Sequence, residues 1–175
     1  MITLLVGTNR PHSRARQLAD YYATLLDELG AAHQLLDLTD LPADFLNVAL
    51  YHNAGQHPGF NSFIAPLDQS AKLVVFAPEY NCSIPGALKV FIDALPYPGG
   101  VRGKTAALVS LSSGSQGGGP ALSHLTDILM YLGTSVLPQR VRLPFIGQHL
   151  TPAGELTSEL YRQLLREQAE VLVRA

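Results

Sequence analysis

Short apolar runs alternate along the chain with segments whose apolar residues recur every three or four positions. The runs have the length and composition of β-strands, and the periodic segments are typical of helices that bury one face. Strands are predicted over Ile2–Gly7, His33–Leu38, Lys72–Ala77, Lys104–Ser112 and Thr134–Leu137, the last pattern continuing weakly to Leu143. Helices are predicted over Ser13–Gly30, Asn61–Ala71, Gly86–Leu95, Pro120–Leu132 and Glu155–Arg174.

The alternation of strands and helices favours a parallel sheet. Strands that are apolar on both faces belong in sheets covered by helices, and right-handed crossovers then give a three-layer α/β/α sandwich. A five-stranded parallel sheet fits the order 2-1-3-4-5. Residues 39–60 interrupt the alternation without a regular pattern, and a segment of that length is usually functional or part of an interface.

The composition limits the classes of protein that fit this pattern. The chain has 175 residues, net charge −2 and one cysteine, which predicts one domain over residues 1–175 without an internal disulfide. A nearly neutral chain is not typical of proteins that bind nucleic acid or anionic membranes. No apolar run reaches about 20 residues and the N-terminus has no basic leader, so we expect a cytoplasmic protein. Only 15% of the residues are charged, which indicates a buried subunit interface.

In a sheet of this order, ligands bind at the loops that follow strands one, three and four. The first of these loops begins at Gly7, carries Thr8 and leads into a helix that Ser13 would cap. Hydroxyls, free backbone N–H groups and guanidinium groups together suit a phosphate monoester. The less specific interpretation is a capped helix whose arginines face solvent. Three of the twelve Lys and Arg residues lie here: Arg10, Arg14 and Arg16.

The other two loops are rich in residues that restrict or free the backbone. Two prolines and a glycine stiffen the segment Pro78–Gly86, and a rigid loop with exposed amides suits the edge of a flat, hydrogen-bonding ring. Tyr80 would pack on such a ring or on a subunit partner. The segment Ser112–Pro120 has four glycines in six positions, which would let the backbone approach a ligand closely.

These three loops resemble those of the NAD(P)H-dependent FMN reductases of flavodoxin-like fold, which include quinone, azo-dye and chromate reductases. The likeness extends from Leu4 to about Leu137. The first loop, Gly7-Thr8-Asn9-Arg10-x-x-Ser13, is similar to the phosphate loop of the family. The second is similar to its main signature: Pro78-Glu79-Tyr80-Asn81-x-Ser83-x-Pro85-Gly86-x-Leu88-Lys89-x-x-Ile92-Asp93.

The resemblance implies a set of cofactor contacts. Thr8, Arg10 and Ser13 would hold the FMN phosphate. Arg14 or Arg16 would compensate for Ala15, which stands where the family often has Asn. The edge of the isoalloxazine ring would lie against backbone atoms of four residues, Pro78, Glu79, Tyr80 and Asn81. Ser113 and Gly114 would approach the ring from its other side.

The resemblance also implies an activity. Hydride would pass from NADPH or NADH through flavin N5 to a quinone, azo, metal-oxyanion or flavin acceptor by a ping-pong route. The flavin would carry the chemistry, so no catalytic side chain is predicted. A homodimer or homotetramer is expected, in which residues 42–60, Tyr80 and residues 97–100 wall the flavin from a neighbouring subunit.

Two alternatives have different functions. A flavodoxin-type electron carrier would share the fold, although such carriers tend to be strongly acidic so that they steer onto basic partners. A scaffold or sensor without tight FMN binding is the second alternative, because Ala15 and Val90 stand where the family often has Asn.

Other chemistries have weaker support in the sequence. The six histidines lack metal-ligand spacing and no G-x-S-x-G occurs, so neither a metal site nor a hydrolase is predicted. Cys82 is interpreted as part of the loop structure rather than as a nucleophile. Glu79, Lys89 and Asp93 are expected to form structural charge pairs.

Overall fold

The computed structural model describes residues 1–97 and 100–175, and its central feature is a parallel sheet. The strand order β2-β1-β3-β4-β5 confirms the predicted 2-1-3-4-5 arrangement, and a sixth strand also pairs with β4. The strands are β1 (Ile2–Val6), β2 (His33–Asp37), β3 (Lys72–Pro78), β4 (Thr105–Leu111), β5 (Ser135–Val136) and β6 (Val141–Leu143).

The predicted fifth strand is divided into β5 and β6. Ala106 pairs with Val136, and Val109 pairs with Val141. Two residues of β4 therefore lie opposite the four residues that separate β5 from β6. Pro138 lies in this gap and has no N–H to donate to a ladder. The amide of Gln168 bridges the gap, donating to the carbonyl of Leu108 at 3.1 Å and to that of Gln139 at 2.8 Å.

The described residues form six α-helices, and three of them begin at a side chain that caps the helix. The helices are α1 (Arg14–Glu28), α2 (Phe45–Val48), α3 (Pro58–Asp68), α4 (Gly86–Ala94), α5 (Gly119–Tyr131) and α6 (Glu159–Arg174). The Oγ of Ser13 caps α1 as predicted, by accepting from the N–H of Arg16. Helix α3 begins three residues before the prediction because His57 Nδ1 accepts the N–H of Phe60, and α6 begins four residues after it because Ser158 supplies its cap.

The two faces of the sheet bury separate apolar clusters. Leu73 and Val75 face the cluster beneath α3, α4 and α5, whereas Val74 and Phe76 face the cluster beneath α1 and α6. This alternation of neighbouring residues is that of a strand covered on both sides. The three-layer sandwich therefore holds the carboxyl ends of β1, β3 and β4 in a fixed row.

The irregular segment before α3 contains short helical pieces. Single turns over Leu38–Asp40 and Tyr51–Asn53 flank α2. Of the segment 97–100, predicted to lie at a subunit interface, positions 98 and 99 fall outside the described residues. Within the described part of the chain, no helix combines the length and apolar character needed to cross a membrane.

Candidate functional site

The loops that follow β1, β3 and β4 meet at the carboxyl edge of the sheet and enclose a cavity of about 330 Å³. We call this space the loop cavity. Because β1, β3 and β4 are neighbours in the sheet, their loops are also neighbours. The loop cavity is lined by Arg10, His12, Ser13, Arg14, Ala15, Pro78, Glu79, Tyr80, Leu111, Ser112, Ser113 and Ile146.

The loop after β1 is held close to the sheet by Gly7 and Thr8. A Cβ on Gly7 would lie 2.9 Å from both Leu88 Cδ2 and the carbonyl oxygen of Phe76, so a side chain does not fit there. Thr8 is fully buried, and its Oγ1 accepts the N–H of Arg10 at 3.3 Å. The loop therefore turns sharply and presents the start of α1 to the cavity.

The cationic groups of this loop divide into two sets. Arg10 and Arg14 line the loop cavity, and in the described chain neither forms an ion pair with a carboxylate. Arg16 instead binds Asp20 at 2.9 Å and Asp37 at 3.1 Å. The hydrogen bond that Arg16 donates to Asp20 is the largest cause of a raised pKa at Arg16, although burial opposes it. The charge available to an anion in the cavity is therefore that of Arg10 and Arg14.

The loop after β3 contains a tight reverse turn. Tyr80 N donates to the carbonyl of Ser83 at 2.9 Å, and Ser83 N donates back to the carbonyl of Tyr80 at 3.1 Å. Asn81 and Cys82 at the centre have φ values of 52° and 64°, as a type I′ turn requires. Residues other than glycine are uncommon in this conformation, and strained backbone is often found at functional sites.

This turn limits which backbone donors can reach a ligand. Glu79 N donates to the carbonyl of Leu111 at 2.9 Å, and the N–H of Tyr80 is used within the turn. In the described chain, no protein acceptor takes the N–H of Asn81 or Cys82. Of the four residues predicted to contact the ring through backbone atoms, only Asn81 therefore has an N–H without a protein acceptor in the described chain, and Cys82 adds a second such donor.

Tyr80 connects the loops after β1 and β3. Its hydroxyl lies 3.0 Å from Thr8 Oγ1, within hydrogen-bonding distance. The sequence predicted that the Tyr80 ring packs on a ligand or on a subunit partner, and this hydrogen bond to Thr8 is an additional role. Through it, the two loops are positioned together.

Glu79 and the nearby charged residues only partly match the expected charge pairs. The expected pair of Glu79 with Lys89 does not form in the described chain, where Lys89 Nζ instead binds Asp93 at 2.7 Å. Glu79 takes no part in it, and its Oε2 is buried without a hydrogen-bond partner in the described chain. Buried carboxylate oxygens are nearly always hydrogen-bonded, so an oxygen without a donor at this position is unusual.

The glycines after β4 contact protein rather than the cavity, apart from Gly114. A Cβ on Gly117 would lie 2.8 Å from Pro144, and one on Gly118 would overlap Ser110 Oγ. Gly114 is exposed, with no atom near the position of a Cβ, and its carbonyl accepts the N–H of Phe145 at 3.1 Å. Most of the glycine-rich loop thus serves close packing of α5 on β4.

The structure brings most of the predicted site residues together. Seven of them line the loop cavity directly: Arg10, Ser13, Arg14, Pro78, Glu79, Tyr80 and Ser113. Thr8 lies beneath the cavity and contacts Tyr80. Asn81 and Gly114 lie beside the cavity, each next to a lining residue.

Sequence reasoning missed Ile146, which also lines the cavity. Its N–H donates to the carbonyl of Ser112 at 3.0 Å, so the segment after β6 braces the loop after β4. The conformation before it is unusual, because Phe145 has φ 46°. In the sequence, Pro144 directly before the aromatic residue Phe145 was the local signal of a constrained turn.

The donors and acceptors of the cavity suit an anion joined to a polar ring. Arg10, Arg14 and the Ser13 hydroxyl offer donors at the start of a helix, where phosphate groups bind well. The N–H groups of the strained turn offer donors, and Glu79 Oε2 offers an unused acceptor. These residues fit the phosphate and the ring of FMN.

Comparison with known proteins gives an independent line of evidence. The family model for NADPH-dependent FMN reductases matches residues 1–147. A 2-hydroxy-1,4-benzoquinone reductase from a Burkholderia species is 30% identical, over 94% of this chain and 90% of that protein. An NAD(P)H-dependent FMN reductase from Pseudomonas aeruginosa is 29% identical, over 82% of this chain and 77% of that protein.

Solved structures agree on the fold. The flavoenzyme NAD(P)H:(acceptor) oxidoreductase FerB from Paracoccus denitrificans superposes with a TM-score of 0.81 at 24% identity, covering 99% of this chain and 94% of that one. Oxidised flavodoxin 1 from Bacillus cereus superposes with a TM-score of 0.65 at 16% identity, covering 99% of this chain and 96% of that one. The sandwich is therefore flavodoxin-like, as predicted.

Proposed function

Because the chain belongs to the NADPH-dependent FMN reductase family, we propose that it binds FMN in the loop cavity and reduces a small-molecule acceptor with NAD(P)H. FMN held by the residues of the loop cavity would supply the redox chemistry, which is hydride transfer between nicotinamide and the acceptor. The observation that carries the proposal is that one cavity is lined by two guanidinium groups without an ion pair in the described chain, by a capped helix start and by Tyr80, the first residue of a strained turn.

At the phosphate end, the groups of the first loop act together. Arg10 and Arg14 supply positive charge, and their guanidinium geometry matches phosphate oxygens. Ser13 Oγ accepts the N–H of Arg16, which leaves its hydroxyl hydrogen free to donate to the phosphate. Thr8 supports the loop from below, and Tyr80 orients the Thr8 hydroxyl.

At the ring end, the turn after β3 supplies the polar contacts. The N–H groups of Asn81 and Cys82 would donate to a carbonyl edge of the ring, where they would stabilise negative charge. Glu79 Oε2 would accept a hydrogen bond from a ligand donor. Pro78 would line this edge of the ring, and Ser113 with Gly114 would close the other side.

One cavity would serve the donor and the acceptor in turn, which predicts ping-pong kinetics. No side-chain base is needed, because the protein binds, orients and stabilises charge. We propose a quinone as the acceptor to test first, since the Burkholderia relative is named as a benzoquinone reductase. Azo compounds, metal oxyanions and free flavins are further candidates of the same kind.

The expected homo-oligomer is supported by exposed aromatic side chains. Tyr51 is 87% exposed and lies in the segment 42–60, and Tyr97 is 76% exposed. Tyr97 borders a groove of about 500 Å³ between α4 and α5, beside Tyr131, which is 81% exposed. We call this space the α4–α5 groove and propose that it lies at a subunit interface, since large exposed apolar patches are typical of association surfaces.

The proposed reaction is tested by titrating the purified protein with FMN and then adding NADPH, with and without a benzoquinone. We expect FMN to bind, NADPH to bleach its visible absorbance and the quinone to restore it. Double-reciprocal plots at several quinone concentrations should give parallel lines. FMN binding without NADPH or NADH oxidation would instead favour the electron carrier, and no FMN binding would favour the scaffold or sensor.

A further inference from the structure

A second cavity with a positive lining lies on the other side of the loop after β4. Its volume is about 410 Å³, and it lies where β6 passes the first turns of α5. We call it the arginine cleft. It is lined by Gly119, Leu122, Ser123, Pro138, Arg140 and Arg142.

The charges of the arginine cleft are not balanced. Arg140 and Arg142 are both exposed, and neither forms an ion pair with a carboxylate in the described chain. Arg140 Nη1 donates only to Thr126 Oγ1, at 3.3 Å. Two guanidinium groups in one cavity repel each other, so an anion between them would be stabilised. The hydroxyl of Ser123 adds a neutral donor.

Gly119 on α5 leaves space for the Arg142 guanidinium at the edge of the cleft. Arg142 Nη1 lies 3.5 Å from the point that a Cβ on Gly119 would occupy, so the guanidinium rests against the helix. The ring of Pro138 forms an exposed apolar wall. Guanidinium groups beside an apolar wall suit a phosphate that is attached to an organic group, because planar guanidinium matches phosphate oxygens.

The cleft and the loop cavity lie beside backbone segments that pair with each other. Ser112 lines the loop cavity, and its N–H donates to the carbonyl of Leu143 at 3.2 Å. Leu143 directly follows Arg142 of the cleft. Neighbouring backbone segments that pair in this way are about 4.8 Å apart, so one extended ligand would reach both spaces.

We propose that Arg140 and Arg142 bind a phosphate group of the nicotinamide dinucleotide when its nicotinamide end lies at the loop cavity. The inference rests on the proposed function, which supplies a co-substrate that carries phosphate. Two phosphates share this chemistry, the pyrophosphate of both dinucleotides and the 2′-phosphate of NADPH alone. The cleft would therefore act in the recognition of the reductant.

The test compares nucleotide binding in wild type, Arg142→Ala and Arg140→Ala, with FMN present in excess. Calorimetric titrations with 2′,5′-ADP and with ADP-ribose should show at least about a tenfold loss in each cleft variant for the ligand that carries the bound phosphate, as expected for one lost charged hydrogen bond. Loss for 2′,5′-ADP alone assigns the 2′-phosphate, and loss for ADP-ribose, which has a pyrophosphate but no 2′-phosphate, assigns the pyrophosphate. Arg102→Ala, which removes an exposed arginine outside the cleft, is the matched control, and thermal melts check folding.

The outcomes separate this inference from the proposed function. Wild type that oxidises NADPH, together with cleft variants whose nucleotide affinities match Arg102→Ala, would overturn the inference alone. Wild type that neither binds FMN nor oxidises NADPH would overturn the proposed function, and the nucleotide titrations would still report on the cleft. A cleft variant that changes only the oligomeric state in sedimentation would assign the cleft to a second copy of the chain and overturn the inference.

Discussion

The loop cavity and the α4–α5 groove are both open spaces on one molecule, yet they are built in opposite ways. The loop cavity is the smaller, at about 330 Å³ against about 500 Å³. Two arginines that form no ion pair in the described chain line it, and the lining residue Glu79 has a buried Oε2 without a hydrogen-bond partner there. Three charged residues line the groove: Lys89 and Asp93 bind each other, and Asp127 forms no ion pair in the described chain. The groove therefore offers mainly apolar contact.

The difference teaches that unused polar groups are a better guide to a cofactor site than size. A paired charge is already stabilised, whereas an unpaired one at a cavity wall gains from a ligand. The loop cavity also depends on strained backbone at Asn81 and Cys82, whose free energy cost must be offset by the rest of the fold. The groove is formed by helix side chains, and an apolar surface of that kind gains most from a protein partner.

The largest expected effect is on the free energy of unfolding and concerns Gly118, in the backbone that supports the loop cavity. Gly118 has φ 82°, and a Cβ there would overlap Ser110 Oγ. Gly118→Ala should lower the free energy of unfolding by about 3 kcal/mol, combining a left-handed conformation with overpacking. Urea denaturation measures the loss. Gly114→Ala, at a site with open space around it, is the control, and equal losses in both variants would show that packing at Gly118 is not special.

The second prediction concerns the charge in the loop cavity. Arg10→Ala should raise the dissociation constant of FMN by about 10- to 100-fold, as expected for a lost hydrogen bond to a charged group. Riboflavin, which has no phosphate, should bind equally well to the variant and to wild type. Fluorescence titration measures both ligands. The control is Arg16→Ala, which removes a nearby arginine that binds Asp20 and Asp37. An equal loss of FMN affinity in Arg16→Ala would contradict the conclusion that the charge in the cavity comes from Arg10 and Arg14 and not from Arg16.

The third prediction concerns the α4–α5 groove. Tyr131→Glu should weaken self-association by about tenfold, because it places a charge in an apolar contact, and it should leave FMN affinity within about twofold of wild type. Sedimentation velocity over a concentration series measures the first effect. Leu160→Glu changes an exposed apolar residue on α6, on the opposite face of the sheet. If both variants dissociate alike, or Tyr131→Glu stays fully assembled, the groove is not the interface.

The smallest predicted effect concerns the link between the two loops. Tyr80→Phe removes the hydroxyl that lies 3.0 Å from Thr8 Oγ1. FMN affinity should fall about fivefold, equivalent to about 1 kcal/mol for one neutral hydrogen bond. Thr8→Val should cause a similar loss, and the double variant should lose little more than either single one, because both remove the same contact. Fully additive losses would show that the two hydroxyls act independently.

Features governed by neighbouring residues could be predicted from the sequence. The cap at Ser13 and the glycine end of α1 depend on a few adjacent positions, and both were confirmed, Gly30 with φ 64°. The strand order followed from apolar runs and from the rules for parallel sheets. The three loops of the candidate site were found because their glycines, prolines and arginines are concentrated at strand ends.

Features that depend on distant contacts could not be predicted. The division of the fifth strand is completed by Gln168, which lies far along the chain on α6. The bond between Thr8 and Tyr80 joins loops that only the fold brings together. The lining by Ile146 likewise requires the segment after β6 to cross the loop after β4. The pairing of Arg16 with Asp37 is another such contact, and it separates Arg16 from the arginines of the cavity.

The central claim is that the loop cavity recognises the phosphate of FMN through unpaired donors. The most direct test is a paired titration of the wild-type protein with FMN and with riboflavin, at the same salt concentration. With two charged contacts at about 1.5 kcal/mol each, FMN should bind at least about 100-fold more tightly than riboflavin. A ratio near one, or the absence of FMN binding, would contradict the account.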